Sequence, residues 1–341
     1  MEGLRHMKDL YCFYANAFLK HKIIIPPSAE IDLTNACNQN CFYCNYSEKR
    51  GKTKDIAKTS DYYKLIDRLK RWGTRSENEI GKVNTLTFVG GGEPTLFPRY
   101  HEILEEGIEK GFIVSLITNG AKLGCLPDDI AKRMAWIGID FDAGTEQLYN
   151  EIRGTKGKNY FSNVSDEARR LSEAGAKIDY KVLLVDNNNN ADAIQDIFRN
   201  AAYVKARMIY FRLAVIKGKS TVIDETTLRF SDFSRQYGVP YRLNLTRTLK
   251  RNYSYCYAMH LLPVFTATGK VCLCCENREV NEYNLCSWID EDFEQLWGTE
   301  VHRQMVERIN VKNCVMCRSN IHNISIQNII NNEDSLEQLF F

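Results

Sequence analysis

The sequence lacks the features that would direct a protein to a membrane, to secretion or to nucleic acid. No apolar run reaches the ~18 residues of a membrane-spanning helix. The charged N-terminus is followed by no long apolar core, so we predict no signal peptide. The net charge is only +2, which leaves no broad basic surface for nucleic acid or for an anionic membrane. Together these absences predict a cytoplasmic protein that binds neither nucleic acid nor a membrane.

Cysteine, by contrast, is plentiful. The 341 residues include twelve cysteines, and without a secretory signal we expect them to serve metal or redox chemistry rather than disulfides. Three lie at positions 37, 41 and 44, and seven lie between positions 256 and 317. Two cysteine groups on either side of a nearly cysteine-free middle predict two metal sites. The length and a hydrophobic content of 44% suit a globular protein of about two domains.

The first cysteine group has the spacing C-x3-C-x2-C and consists of Cys37, Cys41 and Cys44. A tetrahedral zinc site needs a fourth ligand, and the thirty residues after Cys44 contain no cysteine or histidine. Three thiolates suit a [4Fe-4S] cluster, whose fourth iron stays open to a small chelating ligand. Buried core cysteines and a zinc knuckle are the alternatives. The group follows an apolar, strand-like run, which predicts a loop just beyond the C-terminal end of a strand.

Strand-like and helix-like stretches alternate along the first two thirds of the chain. We predict six strands, at residues 23–33, 83–89, 112–117, 136–141, 177–185 and 207–215. Helices are predicted at residues 2–20, 60–72, 100–110, 128–134, 160–174 and 191–202. This alternation predicts an α/β fold with a parallel sheet and crossover helices. Residues 217–249 read as a polar bridge, with a further strand proposed at 241–246.

Polar motifs follow the first four predicted strands in turn. The cysteines follow the first strand, the turn 90–94 follows the second, Thr118 and Asn119 follow the third, and Asp140 and Asp142 end the fourth. In parallel α/β barrels the C-terminal ends of the strands form the mouth of the active site, so these motifs converge on one rim. Further candidates for lining this pocket are Thr118, Asn119, Lys181 and Arg212.

This combination resembles the radical S-adenosylmethionine (SAM) superfamily, and the aromatic Tyr43 just before the third cysteine also fits. The resemblance implies a partial (β/α)6, TIM-like barrel. It also implies that Cys37, Cys41 and Cys44 bind a [4Fe-4S] cluster, and that the amino and carboxylate groups of SAM chelate the fourth iron. Electron transfer from the cluster then cleaves SAM to a 5'-deoxyadenosyl radical.

The turn from Gly90 to Pro94 resembles the family's GGE motif. It lacks the Lys-Ser/Thr of a phosphate-binding loop, and a plain tight turn is the alternative. Glycines let the backbone approach a ligand closely, and the resemblance implies that Glu93 accepts hydrogen bonds from the SAM ammonium. Asp140 stands where the family often has a polar group on the SAM ribose. The predicted cofactor-binding residues are therefore Tyr43, Gly91, Gly92, Glu93, Asn119 and Asp140.

The second cysteine group resembles the SPASM and twitch auxiliary-cluster domains of the same superfamily. Cys256 is followed by twelve residues, then Gly269, then four residues and Cys274. Cys314 and Cys317 add a C-x2-C pair, and no cysteine follows them, so the match is to the shorter twitch type. It implies one auxiliary [4Fe-4S] cluster, held by Cys256, Cys274, Cys314 and Cys317, in a small domain with a β-hairpin at 263–275 and a helix at 293–309.

Two questions about this region stay open in the sequence. Cys272 and Cys275 compete with Cys274 as the ligand, although the glycine spacing favours Cys274. A structural zinc ion with four thiolates is the alternative to the cluster. The predicted division of the chain is an N-terminal helix at 1–22, the barrel at 23–216, the bridge at 217–249 and the auxiliary domain at 250–341.

Two residues are predicted to act in catalysis. Asp142 shares a strand face with Asp140, although capping of the strand end is an equal alternative. Cys286 is a candidate hydrogen donor, because a thiol S–H readily gives its hydrogen to a substrate radical. Burial as a plain apolar side chain is its alternative.

The sequence thus predicts a radical SAM enzyme that oxidises or epimerises a small polar molecule such as a sugar or aminocyclitol, with oxidation favoured. Modification of a peptide or protein side chain is the alternative. About twenty residues precede the first strand, too few for a separate leader-binding domain, which favours the small molecule. A non-enzymatic iron–sulfur or zinc redox module is a third reading. The expected partners are the substrate and a flavodoxin- or ferredoxin-type electron donor.

Overall fold

Fourteen strands occur in the computed structural model, which describes residues 2–47, 54–155, 159–216, 219–244, 250–314 and 316–331. In chain order they are β1 (Ile23–Ile24), β2 (Ser28–Asp32), β3 (Glu79–Ile80), β4 (Thr85–Val89), β5 (Ile113–Thr118), β6 (Trp136–Asp140), β7 (Ile178–Leu184), β8 (Met208–Leu213), β9 (Val215–Ile216), β10 (Lys219–Ser220), β11 (Tyr241–Asn244), β12 (Val264–Phe265), β13 (Lys270–Cys272) and β14 (Asn284–Ser287).

Helices connect most of these strands within the described residues. They are α1 (Glu2–Leu19), α2 (Thr59–Arg71), α3 (Tyr100–Glu109), α4 (Asp128–Arg133), α5 (Glu146–Arg153), α6 (Tyr160–Glu173), α7 (Ala191–Val204), α8 (Glu225–Leu228), α9 (Phe230–Tyr237), α10 (Phe293–Leu296), α11 (Glu300–Arg308) and α12 (Asn320–Asn331). Their apolar positions recur at helical spacing. In α2, for example, Tyr62, Leu65, Ile66 and Leu69 are all buried on one face.

One ten-stranded sheet organises the molecule, with the strand order β11-β8-β7-β6-β5-β4-β2-β12-β13-β14. Neighbouring strands are parallel from β11 as far as β12, whereas β13 and β14 turn back as antiparallel partners. This mixed α/β arrangement confirms the predicted TIM-like partial barrel.

The strands bury one face in the core beneath the helices and turn the other face inward. On β2, Ala29 and Ile31 are fully buried in the apolar core, so Glu30 and Asp32 lie on the opposite face. The same alternation places Asp140 of β6 on the inner face. Charged side chains are therefore concentrated inside the barrel, where the sequence reading expected the pocket.

Two predicted elements are interrupted in the structure, and each has a local cause. The first strand divides into β1 and β2 around Pro26 and Pro27, because proline cannot donate to a sheet ladder. The helix predicted at 293–309 divides into α10 and α11 at Gly298, whose φ is +75°. A Cβ there would lie 2.4 Å from a side-chain carbon of Ile23, so this close approach requires glycine.

The bridge and the cysteine-rich C-terminal region both extend the barrel sheet. The bridge contributes α8, α9 and β11, and β11 pairs in parallel with β8, as the strand proposed at 241–246 suggested; positions 245 and 246 lie outside the described residues. On the other side, β12 pairs in parallel with β2. The predicted domain boundaries remain a prediction.

In the part of the chain that the structure describes, no helix combines the length and the apolar character needed to cross a membrane.

Candidate active site

Two cavities are each lined by one of the cysteine groups. The barrel cavity, about 200 Å³, is lined by Cys37, Cys41 and Cys44, by residues 90–94 and by the ends of the inner strands. The C-terminal cavity, about 390 Å³, is lined by Cys256, Cys274, Cys275, Cys314 and Cys317. The structure therefore brings together the residues that the sequence grouped by spacing alone.

The glycine turn packs directly against the segment that leads into the first cysteine. The N–H of Gly92 donates to the carbonyl oxygen of Thr34 at 3.0 Å, and the N–H of Glu93 donates to that of Ala36 at 2.8 Å. A Cβ on Gly92 would lie 2.1 Å from the Ala36 carbonyl oxygen, which leaves no room for a side chain. Gly92 thus holds the turn against the cysteine loop, and Gly91 beside it also lines the barrel cavity.

Glu93 is buried, and its carboxylate is already occupied by protein donors. It accepts from the N–H of Thr95 at 3.0 Å, from the Thr95 hydroxyl at 2.6 Å, from the Thr118 hydroxyl, and from the N–H of Asn119 at 2.7 Å. Burial raises the pKa of Glu93, and these hydrogen bonds oppose the rise. Three of these donors share Oε1, whereas Oε2 accepts only the Asn119 N–H, so one lone pair of Oε2 is left for a ligand. The contact with the SAM ammonium stays a prediction, and we propose that Glu93 also positions the turn and the end of β5.

Arg153, which the sequence reading did not single out, lies beside the cysteine loop. It ends α5, is 4% exposed, and its Nη1 lies 3.7 Å from the Cys41 Sγ. A second nitrogen lies 3.0 Å from Asp142 Oδ2. An arginine in the last turn of a helix is ordinary, so nothing local marked it. Its charge would stabilise a thiolate at Cys41.

Asp142 is not among the residues that line the barrel cavity, and its catalytic role stays a prediction. Its side chain is 2% exposed and is shared between the Arg153 guanidinium, the Tyr43 hydroxyl and the N–H of Leu183 at 2.7 Å. With these three donors it holds Arg153 and Tyr43 beside the cysteine loop. Tyr43 itself lines the cavity, and burial raises its pKa.

The remaining predicted pocket residues divide between the cavity and the core. Asp140 and Arg212 line the barrel cavity, with 3.7 Å between their charged atoms. Asn119 also lines it and donates to the side chain of Asn38 in the cysteine loop at 2.9 Å. Lys181 does not line it, because its ammonium lies over the Tyr210 ring at 3.7 Å. Thr118 lines the cavity while donating to Glu93.

In the C-terminal cavity, two candidate ligands accept hydrogen bonds from asparagines. Asn277 Nδ2 lies 3.4 Å from the Cys274 Sγ, and Asn323 Nδ2 lies 3.6 Å from the Cys256 Sγ. Cys272 lines neither cavity and donates its S–H to the Cys274 carbonyl oxygen at 3.3 Å. This leaves Cys274 and Cys275 as the alternatives for that position.

Cys286 also lines neither cavity, and its role as hydrogen donor stays a prediction. It is 8% exposed in β14, where it pairs with Val271. Burial raises the pKa of its thiol to about 12. Packing in the core therefore accounts for this cysteine.

The donor sets of both cavities fit iron–sulfur clusters. A four-iron cluster takes at most one protein thiolate on each iron, so its ligands surround a cavity instead of meeting at one point. Among the described residues, no three His, Cys, Asp or Glu side chains are gathered as they would be around a single metal ion. The barrel cavity has three thiols and the C-terminal cavity has four or more, so each cavity has enough thiols to hold one cluster.

The two cavities share a wall. Asn45, Glu276 and Arg318 line both of them. Arg318 Nε lies 3.3 Å from Glu276 Oε1, and Asn45 Nδ2 lies 3.7 Å from the sulfur of Met316. A molecule held at the mouth of the barrel cavity would therefore also face the C-terminal cavity.

A family model described as the radical SAM superfamily matches residues 31–200. A S-adenosylmethionine-dependent nucleotide dehydratase of a Thermoplasmatales archaeon is 26% identical over 219 residues, which are 62% of this chain and 72% of that protein. The mycofactocin maturase MftC of Mycolicibacterium smegmatis is 27% identical over 53% of this chain and 43% of its own length. The sporulation killing factor maturation protein SkfB of Bacillus subtilis is 24% identical over 58% of this chain. The matches to these two maturases cover less than half of their lengths, 43% and 45%.

Solved structures share the fold. Streptococcus suis SuiB bound to its precursor peptide SuiA superposes with a TM-score of 0.65 at 15% identity, over 86% of this chain and 70% of that one. Native anSMEcpe with bound AdoMet gives a TM-score of 0.59 at 17% identity, over 86% of this chain and 88% of the other.

Proposed function

We propose that this chain, which belongs to the radical SAM superfamily, modifies a side chain of a peptide or protein through hydrogen-atom abstraction. The observation that carries the proposal is the wall shared by the two cysteine-lined cavities. A substrate at that wall faces both the site where a radical would arise and the site where an auxiliary cluster could accept an electron. Oxidation of the substrate is therefore the favoured outcome, with epimerisation as the alternative.

The choice of a peptide reverses the preference drawn from the sequence. MftC and SkfB are named as maturation proteins, and both match a large part of this chain. A small polar molecule is the second candidate. The match to the nucleotide dehydratase, which covers 72% of that protein, favours this second candidate.

The protein's own residues divide the work of the barrel cavity. Cys37, Cys41 and Cys44 would hold the cluster, which together with SAM would supply a 5'-deoxyadenosyl radical for hydrogen-atom abstraction. Arg153 and Tyr43 fix the cysteine loop through Asp142, and Gly92 holds the glycine turn against its start. Asp140, on the inner face, is placed to accept hydrogen bonds from the hydroxyls of a bound ribose.

The metal content tests the two sites separately. After anaerobic reconstitution we expect about eight irons per chain, from two four-iron clusters. A variant with Cys37, Cys41 and Cys44 all replaced by Ala should retain about four. Stoichiometric zinc in the C-terminal cavity after anaerobic purification would rule out the auxiliary cluster.

The substrate is tested by the fate of deuterium. Peptides encoded beside this gene and a panel of nucleotides, each deuterated, would be incubated with reduced enzyme, SAM and a flavodoxin or ferredoxin. Deuterium in 5'-deoxyadenosine from a peptide, absent in the triple cysteine variant, supports the proposal. Transfer from a nucleotide alone selects the second candidate. Failure to cleave SAM under any of these conditions would leave a non-enzymatic redox module.

A further inference from the structure

A largely buried group of charges lies at the wall shared by the two cavities and beside it. We name it the junction network, and its members are Glu30, Asp32, Glu276, Arg278 and Arg318. The side chains of Arg278 and Asp32 are each 1% exposed. The side chains of Glu276, Glu30 and Arg318 are 10%, 16% and 29% exposed, so the three carboxylates and two guanidinium groups are largely withdrawn from water. Buried charges of this kind are costly unless each has a partner, so their placement is tightly determined.

Arg278 is the centre of the network. Its Nε donates to Asp32 Oδ2 at 2.7 Å and its Nη2 donates to Glu30. Its Nη1 donates to the Tyr46 hydroxyl oxygen at 3.1 Å and to the carbonyl oxygen of Cys275. The Tyr46 hydroxyl donates to that same carbonyl oxygen. A single planar guanidinium therefore connects a strand, a loop and a hairpin.

Each of these contacts lies next to a cysteine that lines a cavity. Tyr46 is two residues after Cys44, and Cys275 follows Cys274. On the barrel side, β2 ends at Asp32 and leads into the loop that contains Cys37. Arg318, which follows Cys317, completes the pattern by pairing with Glu30 and with Glu276 at 3.3 Å.

We propose that Arg278 is a positioning residue that fixes the two cysteine sites relative to each other. The inference rests on the proposed function, because it requires a cluster in each cavity. Arg278 acts through the backbone of Cys275 and the hydroxyl of Tyr46. A lysine keeps the charge, but its compact ammonium cannot span four acceptors on three segments. In the lysine variant, we therefore expect β2, the loop with Tyr46 and the hairpin with Cys275 to vary in position independently of one another.

The test compares Arg278→Lys with a matched control. Arg68 of α2 also connects the barrel to the C-terminal region. It binds Glu294 at 2.6 Å and the carbonyl oxygens of Trp288 and Glu291. The nearby Cys286 lines neither cavity, so these contacts do not reach a segment with a cavity cysteine. Both variants would be reconstituted with iron and sulfide, reduced, and examined by pulsed EPR for the dipolar coupling between the two paramagnetic clusters. Dipolar coupling falls with the cube of the separation, so it reports on relative position.

We expect one narrow distribution of couplings in the wild-type protein and in Arg68→Lys, and a distribution at least twofold wider in Arg278→Lys. An unchanged distribution in Arg278→Lys, with about eight irons bound, overturns the inference alone. About four irons in the wild-type protein overturn the two-cluster proposal, and this inference with it. If Arg278→Lys does not fold, Tyr46→Phe takes its place, because it removes only the hydroxyl contact. A wider distribution of couplings than in the wild-type protein then supports the inference, and an unchanged distribution overturns it.

Discussion

Removing the Glu93 carboxylate should unfold or loosen the barrel mouth before it affects any ligand. In Glu93→Ala, the N–H groups of Thr95 and Asn119 lose their acceptor and stay buried. Each unsatisfied group costs about 1–3 kcal/mol, so these two together cost roughly 2–6 kcal/mol. The hydroxyls of Thr95 and Thr118 can turn to other acceptors and are left out of this figure. A typical domain has only about 5–15 kcal/mol of stability, so the loss should be large.

A direct role in binding SAM predicts a different result. One charge-assisted hydrogen bond to the SAM ammonium is worth about 1.5–3 kcal/mol. Its loss would weaken SAM binding roughly tenfold to a hundredfold and leave the free energy of unfolding unchanged. The two roles of Glu93 therefore separate when stability and affinity are measured on the same variant.

The assay is urea unfolding of the cluster-free chain, followed by anaerobic SAM titration of the reconstituted chain. Glu102→Ala is the control, because Glu102 is a surface carboxylate whose salt bridge is with Arg99, only three residues away. We expect its unfolding free energy to stay within about 0.5 kcal/mol of wild type. Glu93→Gln, which keeps one oxygen, should fall between the control and Glu93→Ala. A Glu93→Ala protein with wild-type stability and at least tenfold weaker SAM binding would refute the positioning role.

Three further outcomes are expected. Gly92→Ala should lose iron from the barrel cavity but keep about four irons in the C-terminal cavity, because its Cβ would displace the Ala36 carbonyl; full iron occupancy would contradict this. Cys272→Ala should keep about eight irons, whereas Cys274→Ala should lose iron from the C-terminal cavity. Loss of iron from Cys272→Ala would contradict the assignment of Cys274 as the cluster ligand. Burial lowers the pKa of His302 from 6.5 to about 4, so the unfolded chain binds the extra proton first as pH falls. The free energy of unfolding should therefore fall by about 2 kcal/mol from pH 7 to pH 5. Urea unfolding at the two pH values measures this fall, which should be smaller in His302→Gln than in the wild-type protein.

Local patterns were enough to predict most of the fold. Each parallel strand is a short apolar run followed by turn residues, and the polar motifs at the strand ends were visible without knowing the pairing. The cysteine groups could be assigned to cavities because their spacing is a property of the chain itself. The breaks at Pro26 and Gly298 were less evident, since the second of them depends on Ile23, far away in the sequence.

What the sequence could not supply was the pairing of charges across long separations. Arg153 lies more than a hundred residues from Cys41, and nothing in its surroundings marks it as the partner of a thiol. Asp142 looked like an exposed acid at a strand end, but three donors enclose it. Arg278 similarly meets residues of β2 that lie far from it in the chain. These contacts arise only when the sheet brings the segments together.

The parallel pairing of β12 with β2 has a consequence for how the chain can be made and shortened. Val264 pairs with Glu30, more than two hundred residues earlier. During synthesis the barrel strands therefore emerge well before the segment that covers the outer edge of β2. Until then that edge presents unpaired N–H and C=O groups, which are a template for aggregation. A chain truncated before β12 would keep the edge open permanently, so we expect such a fragment to be insoluble at concentrations where the full chain remains monodisperse.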